Sequence, residues 1–257
     1  LICDSRLSPS AKALYMSLMQ IHPCTIRDLA AVSQMTRNTA ITHLKKLAEV
    51  GWASITGPRN HRRIVPSRPL EIQKALAAQL RDKRPLLNPV GENLSKLVLD
   101  VVVDDDCYVD NARPHFLQDR ETGEYLELDR WYYARRVGEE YEGYQHQGVT
   151  SFANEQKVEE IRLRDARKLA MCEARGIPLV IVTEDDLSFD GILRKIPPQL
   201  PQAHFDRDDL YVKTLEDLCE EYVAGCRRAR LREARKSDKN KRVERQQTRR
   251  ESGQERA

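Results

Sequence analysis

The segment of the chain whose residues could do chemistry spans positions 127–146, ELDRWYYARRVGEEYEGYQH. It holds five acidic residues among twenty, beside apolar and aromatic residues of the types common in strands. Read as two antiparallel strands, it places several carboxylates on one face, which is destabilising unless a cation lies among them. Hard divalent ions such as Mg²⁺ prefer carboxylate oxygens and retained water. This segment therefore indicates a divalent metal site.

The position of the hairpin turn decides which acids face one another. With residues 134–135 at the tip, Asp129 lies opposite Glu140 and Glu127 lies opposite Glu142. Because side chains alternate along a strand, these four carboxylates share one face. The other face then carries Leu126, Leu128, Val137 and Tyr141.

Two alternatives to this pairing stay open. Ala-Arg is an unfavourable two-residue turn, and a slip by one residue would exchange Glu140 for Glu139. The segment could also be an ordinary surface hairpin whose acids are solvated.

Length and composition limit the class of protein. A chain of 257 residues can bury one large core or two modest ones. It has no apolar run near the roughly 18 to 20 residues that cross a bilayer, so we expect a soluble protein without a membrane partner. The start shows no signal-peptide pattern. The six scattered cysteines form no CxxC pair, which argues against a zinc site or a disulfide framework. Both observations favour the reducing cytoplasm as the location of the protein.

Charge is distributed unevenly along the chain. From Cys226 to the end, thirteen Lys or Arg residues outnumber five Asp or Glu, a net charge of +8. Since the whole chain carries +3, residues 1–225 carry −5. A basic tail indicates a polyanionic partner, most often nucleic acid, although a solvated tail that aids solubility is equally consistent. Thr214 is expected to cap a helix before this tail, which either continues the helix or is disordered when free.

The amino-terminal part predicts three short helices and a basic hairpin. Ser8, Thr25 and Thr36 are expected to cap the helices, and residues 52–55 and 63–65 to form strands. This pattern, carried by TIRDLAAVSQMTRNTAITHLKKLAEVGW within residues 5–67, resembles the winged helix-turn-helix family.

That resemblance implies DNA binding, with the third helix in the major groove and the hairpin on the backbone. The residues that would face bases are Arg37, Asn38, Thr39 and Thr42. The residues that would contact phosphates are Lys45, Lys46, Arg59, Arg62 and Arg63. A winged helix used for protein contacts is the alternative, but the Arg and His residues at the hairpin tip favour DNA.

The rest of the chain predicts a second domain. Residues 69–82 predict a connecting helix, and the proline-containing break after it places the boundary between about 66 and 90. Beyond it we expect helices at 92–103 and 154–175 and strands at 115–117, 125–132, 136–141 and 179–182. This order predicts an α/β (α+β) sandwich with a mixed sheet.

The acidic hairpin and the helix after it resemble the PD-(D/E)XK restriction-endonuclease-like nucleases, in particular the very-short-patch-repair-like branch. The likeness rests on an Asp in one strand, Glu-x-acid-Gly in the next, a Gln-His pair, and RDARK ahead of the strand LVIV, within residues 91–193. It implies an α/β/α core and metal-dependent cleavage of DNA.

The resemblance also implies roles for single residues. Asp129 and Glu140 would bind the metal, Mg²⁺ or Mn²⁺. Glu142 stands where many members have lysine, and Gln145 and His146 match the Gln-His pair, with His146 a candidate for proton transfer. His146 could instead hydrogen-bond a loop carbonyl.

Lys168 is the candidate for the positive charge that the absent motif lysine would have given. It shares one helical face with Asp165, Ile161 and Cys172. A surface pair of Asp165 with Lys168 is the alternative.

Four segments follow: a winged helix-turn-helix domain at 1–67, a helical linker at 68–90, a nuclease domain at 91–205, and a helix with a basic tail at 206–257. The expected function is a Mg²⁺-dependent DNA endonuclease in a mobile-element, restriction or repair setting, with a homodimer or another protein partner left open. The alternatives are a non-catalytic DNA-binding regulator or replication accessory protein with a degenerate nuclease fold, and a nuclease selective for branched or nicked DNA.

Overall fold

The computed structural model describes residues 3–58, 62–83, 89–143 and 155–254. The chain divides into two compact units, the first formed by Leu1–Leu86 with Ala203–Leu215 and the second by Leu87–Gln202 with Glu216–Ala257. The expected linker, 68–90, therefore falls mainly within the first unit, and the expected tail segment is shared between the two. The predicted mixed α/β class is confirmed.

Three helices open the first unit: α1 (Pro9–Ile21), α2 (Ile26–Val32) and α3 (Arg37–Glu49). The three predicted caps are confirmed. The Ser8 and Thr36 side chains accept hydrogen bonds from backbone N–H groups of the first turns, and Thr25 forms a reciprocal capping box with Asp28. Leucines at helical spacing then fill the core between the helices.

A two-stranded hairpin follows, formed by β1 (Ala53–Thr56) and β2 (Arg63–Pro66) in antiparallel register. Gly51 precedes it with a φ of 83°, a left-handed conformation that ends α3. Ile64 of β2 also exchanges two backbone hydrogen bonds with Cys24, which fixes the hairpin to the helices. The next helix is α4 (Leu70–Lys83).

The second unit contains a four-stranded mixed sheet. Its elements are α5 (Val90–Val102), β3 (Tyr108–Ala112), a 3₁₀ helix (His115–Leu117), β4 (Leu128–Tyr132), β5 (Val137–Glu142), α6 (Glu155–Glu173), β6 (Leu179–Thr183), α7 (Phe189–Lys195) and α8 (Leu210–Gln254), which begins in the first unit. The strand order is β3-β4-β5-β6, antiparallel except for the parallel pair β5 and β6. The prediction of a mixed sheet is confirmed.

Two predicted elements of this sheet are wrong. Residues 115–117 form a 3₁₀ turn, because Pro114 fixes the backbone and its carbonyl accepts the Leu117 N–H, whereas the unpredicted first strand is β3. The second predicted strand begins only at Leu128, and Tyr125 before it makes a single isolated bridge to Gln118.

The predicted cap at Thr214 is also wrong. Helix α8 begins four residues earlier at Leu210, where the Asp209 side chain accepts the Tyr211 N–H. The helix continues to Gln254, so the described part of the basic tail is helical.

Two adjacent residues of β5 show how the sheet is covered. Glu139 accepts a hydrogen bond from Ser95 of α5, whereas Glu140 pairs with Lys168 of α6. Since successive side chains of a strand point to opposite faces, α5 and α6 cover opposite faces of the sheet. No helix in the described ranges is both long enough and apolar enough to cross a bilayer.

Candidate functional site

A cleft of about 510 Å³ opens in the second unit where one end of the sheet meets three helices. Its walls come from the start of α5, from β4 and β5 with their flanking residues, from α6, and from α8. The residues that line it are Pro89, Val90, Gly91, Glu92, Glu127, Asp129, Glu140, Tyr141, Gly143, Ile161, Arg164, Asp165, Lys168 and Tyr222. The two predicted metal ligands, Asp129 and Glu140, thus line one cavity with Lys168, the residue predicted to replace the motif lysine.

The β4–β5 hairpin positions the two carboxylates. Arg130 pairs with Glu139, Trp131 with Gly138 and Tyr132 with Val137. This is the predicted register, the one that sets Asp129 across from Glu140. The connection is a four-residue turn, 133–136, rather than a two-residue tip, and Arg136 takes a φ of 54° within it.

Asp129 is held by the backbone of the neighbouring strand. Its Oδ2 accepts the Tyr141 N–H at 2.7 Å, which fixes the carboxylate toward the cleft. Burial raises the pKa of this carboxyl above its ordinary value, the hydrogen bond opposes that effect, and the charge of Glu92 adds to it. Asp129 is therefore a half-buried carboxylate beside other acids, an arrangement that favours a bound cation.

Glu140 is buried at the floor of the cleft. Its Oε2 pairs with the Lys168 ammonium, whereas its Oε1 has no hydrogen-bond partner among the described residues. Burial raises the pKa of Glu140 to about 7, with the Asp129 charge acting in the same direction and Lys168 opposing it. One oxygen of this carboxylate is thus available to a ligand in the cleft.

Lys168 reaches the site from α6 and is itself 8% exposed. Its Nζ donates to the Glu127 carbonyl at 3.2 Å and lies 3.7 Å from Asp165 Oδ1, in addition to its contact with Glu140. The alternative of a surface pair with Asp165 does not describe this lysine, because Glu140 is its nearest carboxylate and both are buried.

Glu92, in the first turn of α5, is the site residue that the sequence did not single out. Its Oε1 accepts from Lys96 Nζ at 2.5 Å, and the same ammonium donates to Asn111 Oδ1 at 2.6 Å. An acid in a first helical turn is common because it complements the helix dipole. Its sequence position alone therefore gave no signal of a site; the packing of α5 on the sheet brings it there.

The four carboxylates predicted to share one face line two adjoining pockets: Glu127, Asp129 and Glu140 line the cleft, and Glu142 lines a smaller pocket of about 130 Å³ together with Glu140. Glu127 lies outside β4, and its carboxylate pairs with Arg113 at 2.9 Å. Within the described residues, no three or more His, Cys, Asp or Glu side chains form a group that could hold a metal ion. Gln145 and His146 lie outside the described residues.

The pair Asp129 and Glu140 nevertheless fits a Mg²⁺ ion. Mg²⁺ is bound in proteins by one or two carboxylates, and waters and substrate phosphates complete its shell. The Glu140 Oε1 without a partner is the observation that supports this fit.

The first unit presents a second candidate surface on α3. The side chains of Arg37, Asn38, Thr39, Thr42 and Lys45 are exposed along this helix. Two hydroxyls are engaged locally, since Thr39 bonds the Thr36 hydroxyl at 2.8 Å and Thr42 donates to the Asn38 carbonyl at 3.0 Å.

The residues predicted to contact phosphates differ in how exposed their side chains are. Lys46 is half-buried and pairs with Glu49 at 3.2 Å, whereas Arg62 and Arg63 are exposed at and beside the start of β2. Arg59 lies outside the described residues.

Known proteins give no assignment for either surface. No family model, no curated protein and no solved structure matches the chain.

Proposed function

We propose that this chain is a metal-dependent DNA endonuclease of the PD-(D/E)XK type, directed to DNA by a winged helix-turn-helix domain. The observation that supports this most strongly is the convergence of Asp129, Glu140 and Lys168 from β4, β5 and α6 on one cleft. Two carboxylates beside a lysine, within reach of a helix amino terminus, suit the cleavage of a phosphodiester.

Asp129 and Glu140 would hold one Mg²⁺ or Mn²⁺ ion in the cleft. When bound, the ion supplies an activated water and neutralises charge on the phosphate and the leaving oxygen. Since a pKa near 7 keeps Glu140 partly protonated at neutral pH, ion binding would release a proton from it.

Lys168 takes the role of the motif lysine that the strand lacks. Its ammonium is fixed by Glu140 and by the Glu127 carbonyl, so it can donate to an oxygen of the phosphate or of the attacking water. Fixing the donor before the substrate arrives reduces the reorganisation needed in the transition state.

The start of α5 supplies a further anion contact. Pro89, Val90 and Gly91 line the cleft, and the N–H groups of a first helical turn have no intrahelical partners. Such N–H groups bind phosphate oxygens. Gly91 is needed there because a Cβ would collide with the Tyr141 ring.

For DNA recognition, α3 would lie in the major groove with Arg37 and Asn38 toward base edges, and Arg62 and Arg63 would contact the backbone. The exposure of these four side chains supports this part of the proposal. Their replacement should weaken binding, with the arginines of the hairpin acting without regard to sequence and in a salt-dependent way.

The direct test incubates the full chain with supercoiled plasmid and Mg²⁺ or Mn²⁺, with EDTA as the control. Asp129→Ala, Glu140→Ala and Lys168→Ala should each abolish or strongly reduce cleavage, while plasmid binding persists. Glu173→Ala on the exposed side of α6 is the matched control and should cut normally. Cleavage by the Asp129→Ala, Glu140→Ala double variant at the wild-type rate would contradict the site.

A second candidate function is a DNA-binding regulator or replication accessory protein whose nuclease fold is inactive. The observation that favours it is that Glu140 is already paired with Lys168, which engages one of the oxygens that a metal would use. This alternative predicts salt-dependent DNA binding and no cleavage with either metal ion, so the plasmid assay separates the two.

A further inference from the structure

A second cavity, of about 530 Å³, lies in the second unit beside the cleft. It is lined by Arg113, His115, Glu124, Tyr125 and Arg164. Its volume falls in the range of about 300 to 1,000 Å³ that is usual for small-molecule sites. None of the steps proposed for hydrolysis uses it.

The cavity and the cleft adjoin through two residues. Arg164 lines both of them. Arg113 of the cavity pairs with Glu127, which lines the cleft. A ligand that continues from the cavity into the cleft would therefore contact Arg164.

Two aromatic rings form one side of the cavity. The His115 and Tyr125 ring centroids lie 5.6 Å apart with an interplanar angle of 78°, so the two rings meet edge to face. Tyr125 is 37% exposed. Their positions are fixed by the backbone, because Gln118 bridges Tyr125 and the Leu126 N–H donates to the Leu117 carbonyl at 2.9 Å.

The charges around these rings suit a nucleotide better than a simple anion. The Arg164 side chain is exposed, so its guanidinium can bind a phosphate. Glu124 also lines the cavity and would repel a phosphate placed beside it, yet its carboxylate can accept a hydrogen bond from the exocyclic amine of a base. Aromatic faces stack on bases of any sequence.

We propose that this cavity binds an unpaired nucleotide of the DNA strand that enters the cleft, with its base on the Tyr125 ring and its phosphate at Arg164. The assignment rests on the proposed nuclease function and names its substrate class. A base within a duplex is stacked on its neighbours and cannot reach the rings. The substrate would therefore be DNA with an unpaired segment next to the cleavage point, such as a flap, a frayed nick or a branch.

The test measures binding of the full-length Asp129→Ala chain in EDTA by fluorescence anisotropy, with a flap-bearing duplex and a blunt duplex of the same length. Tyr125→Ala in this background should weaken flap binding about tenfold, the order of loss found when a stacking ring is removed, and leave blunt-duplex binding unchanged. Tyr125→Phe should restore flap binding because it keeps the ring. Tyr133→Ala, at a tyrosine that is 53% exposed and outside the cavity, is the matched control and should bind both as the parent does.

A second readout does not depend on affinity. A 2-aminopurine at the first unpaired position should lose fluorescence on binding when it stacks on the ring, and Tyr125→Ala should abolish that loss. Equal weakening of flap and blunt binding, no effect of Tyr125→Ala, or an unchanged 2-aminopurine signal would each overturn the assignment. Tighter Tyr125-dependent binding of a ribonucleotide flap would overturn the assignment to DNA.

Failure of the nuclease proposal gives a different pattern. If wild type never cuts plasmid or flap with Mg²⁺ or Mn²⁺ but shows Tyr125-dependent flap binding, the nucleotide site stands and the hydrolytic role of the cleft fails. If wild type cuts and Tyr125→Ala cuts flap and blunt substrates in the wild-type ratio, the nuclease stands and the nucleotide site fails.

Discussion

Glu139 and Glu140 are neighbours in β5, yet they belong to two different regions of the second unit. On the α5 face, Glu139 is 1% exposed, accepts one hydrogen bond from the Ser95 hydroxyl at 2.8 Å, and lies opposite Arg130 of β4. On the α6 face, Glu140 meets an ammonium and opens into the cleft. Burial raises the pKa of both carboxyls, to about 8 for Glu139 and about 7 for Glu140.

The polar groups around Glu139 serve the fold. The Arg130 guanidinium is buried and binds Asp110 through two nitrogens at 2.6 and 3.2 Å, Asp100 at 2.7 Å and the Lys96 carbonyl at 3.3 Å. Its Cζ also lies 3.9 Å from the centre of the Tyr108 ring. These contacts satisfy the arginine and fasten β3, β4 and α5 to one another.

Each glutamate has one oxygen without a hydrogen-bond partner among the described residues, Oε2 of Glu139 and Oε1 of Glu140, but of the two it is Glu140 that lines the cleft. A buried oxygen without a partner costs free energy, and for Glu140 a ligand in the cleft can offset that cost. The difference between the two regions suggests that charge on the α5 face holds the sheet together and charge on the α6 face binds a ligand.

The largest expected effect separates the two glutamates by activity. Glu140→Gln should lower the rate of metal-dependent plasmid cleavage by more than about a hundredfold, since it removes a ligand, and loss of even an outer partner costs about 10- to 100-fold. Glu139→Gln should retain a rate within a few-fold of wild type. Single-turnover cleavage with both variants checks this, and equal losses would remove the distinction between the faces.

Removal of Arg130 tests the structural role of the α5 face. Arg130→Met should lower the free energy of unfolding by about 3 kcal/mol, because it leaves Asp110 and Asp100 without their buried cation. The value lies at the lower end for buried pairs since both aspartates are partly exposed. Denaturant unfolding measures it; Lys213→Met, which removes an exposed pair with Asp208, is the control and should cost less than about 1 kcal/mol.

The pH dependence of stability should isolate Glu139. Its carboxyl has a pKa of 4.5 when unfolded and about 8 when folded, so the native state binds the extra proton between these values. Stability from this group is full below pH 4.5 and is lost as pH rises through 8. Glu139→Gln should therefore be more stable than wild type at pH 8.5, by on the order of 2 kcal/mol, and equal to it near pH 4.5. Thermal unfolding across this range tests the sign, and a constant difference would show that the carboxyl is ionised throughout.

The smallest expected effect is a shift in the pH profile of metal binding. Binding needs ionised Glu140, so Mn²⁺ affinity should rise with pH up to about 7 and then level off. Lys168→Met should move the midpoint upward, because the ammonium lowers the pKa of Glu140. Calorimetric titration with Mn²⁺ measures this without cleavage, and Glu173→Met is the control. A midpoint unchanged in Lys168→Met would show that the lysine does not act on Glu140.

The helix caps, the hairpin register and strand β3 differ in how well the sequence predicted them. The helix caps at Ser8, Thr25 and Thr36 are local features, so residue types were enough to place them. The register of the β4–β5 hairpin could be predicted from the position of its turn, because the alternation of side chains along two paired strands allows few registers. The sequence did not predict strand β3, because this edge strand carries polar, exposed residues and shows no clear alternation of apolar and polar side chains.

By itself the sequence determined the mixed α/β class, the three amino-terminal caps, the hairpin register and the set of acids from which a metal site could form. Only the tertiary structure decided which acids meet. Glu92 enters the cleft from α5, more than thirty positions before Asp129, whereas Glu142, two positions from Glu140, lines the smaller pocket beside β6 and is not among the residues that line the cleft. The reason is physical: alternation and capping depend on neighbours in the chain, whereas the packing of a helix on a sheet depends on the shapes of surfaces distant in sequence.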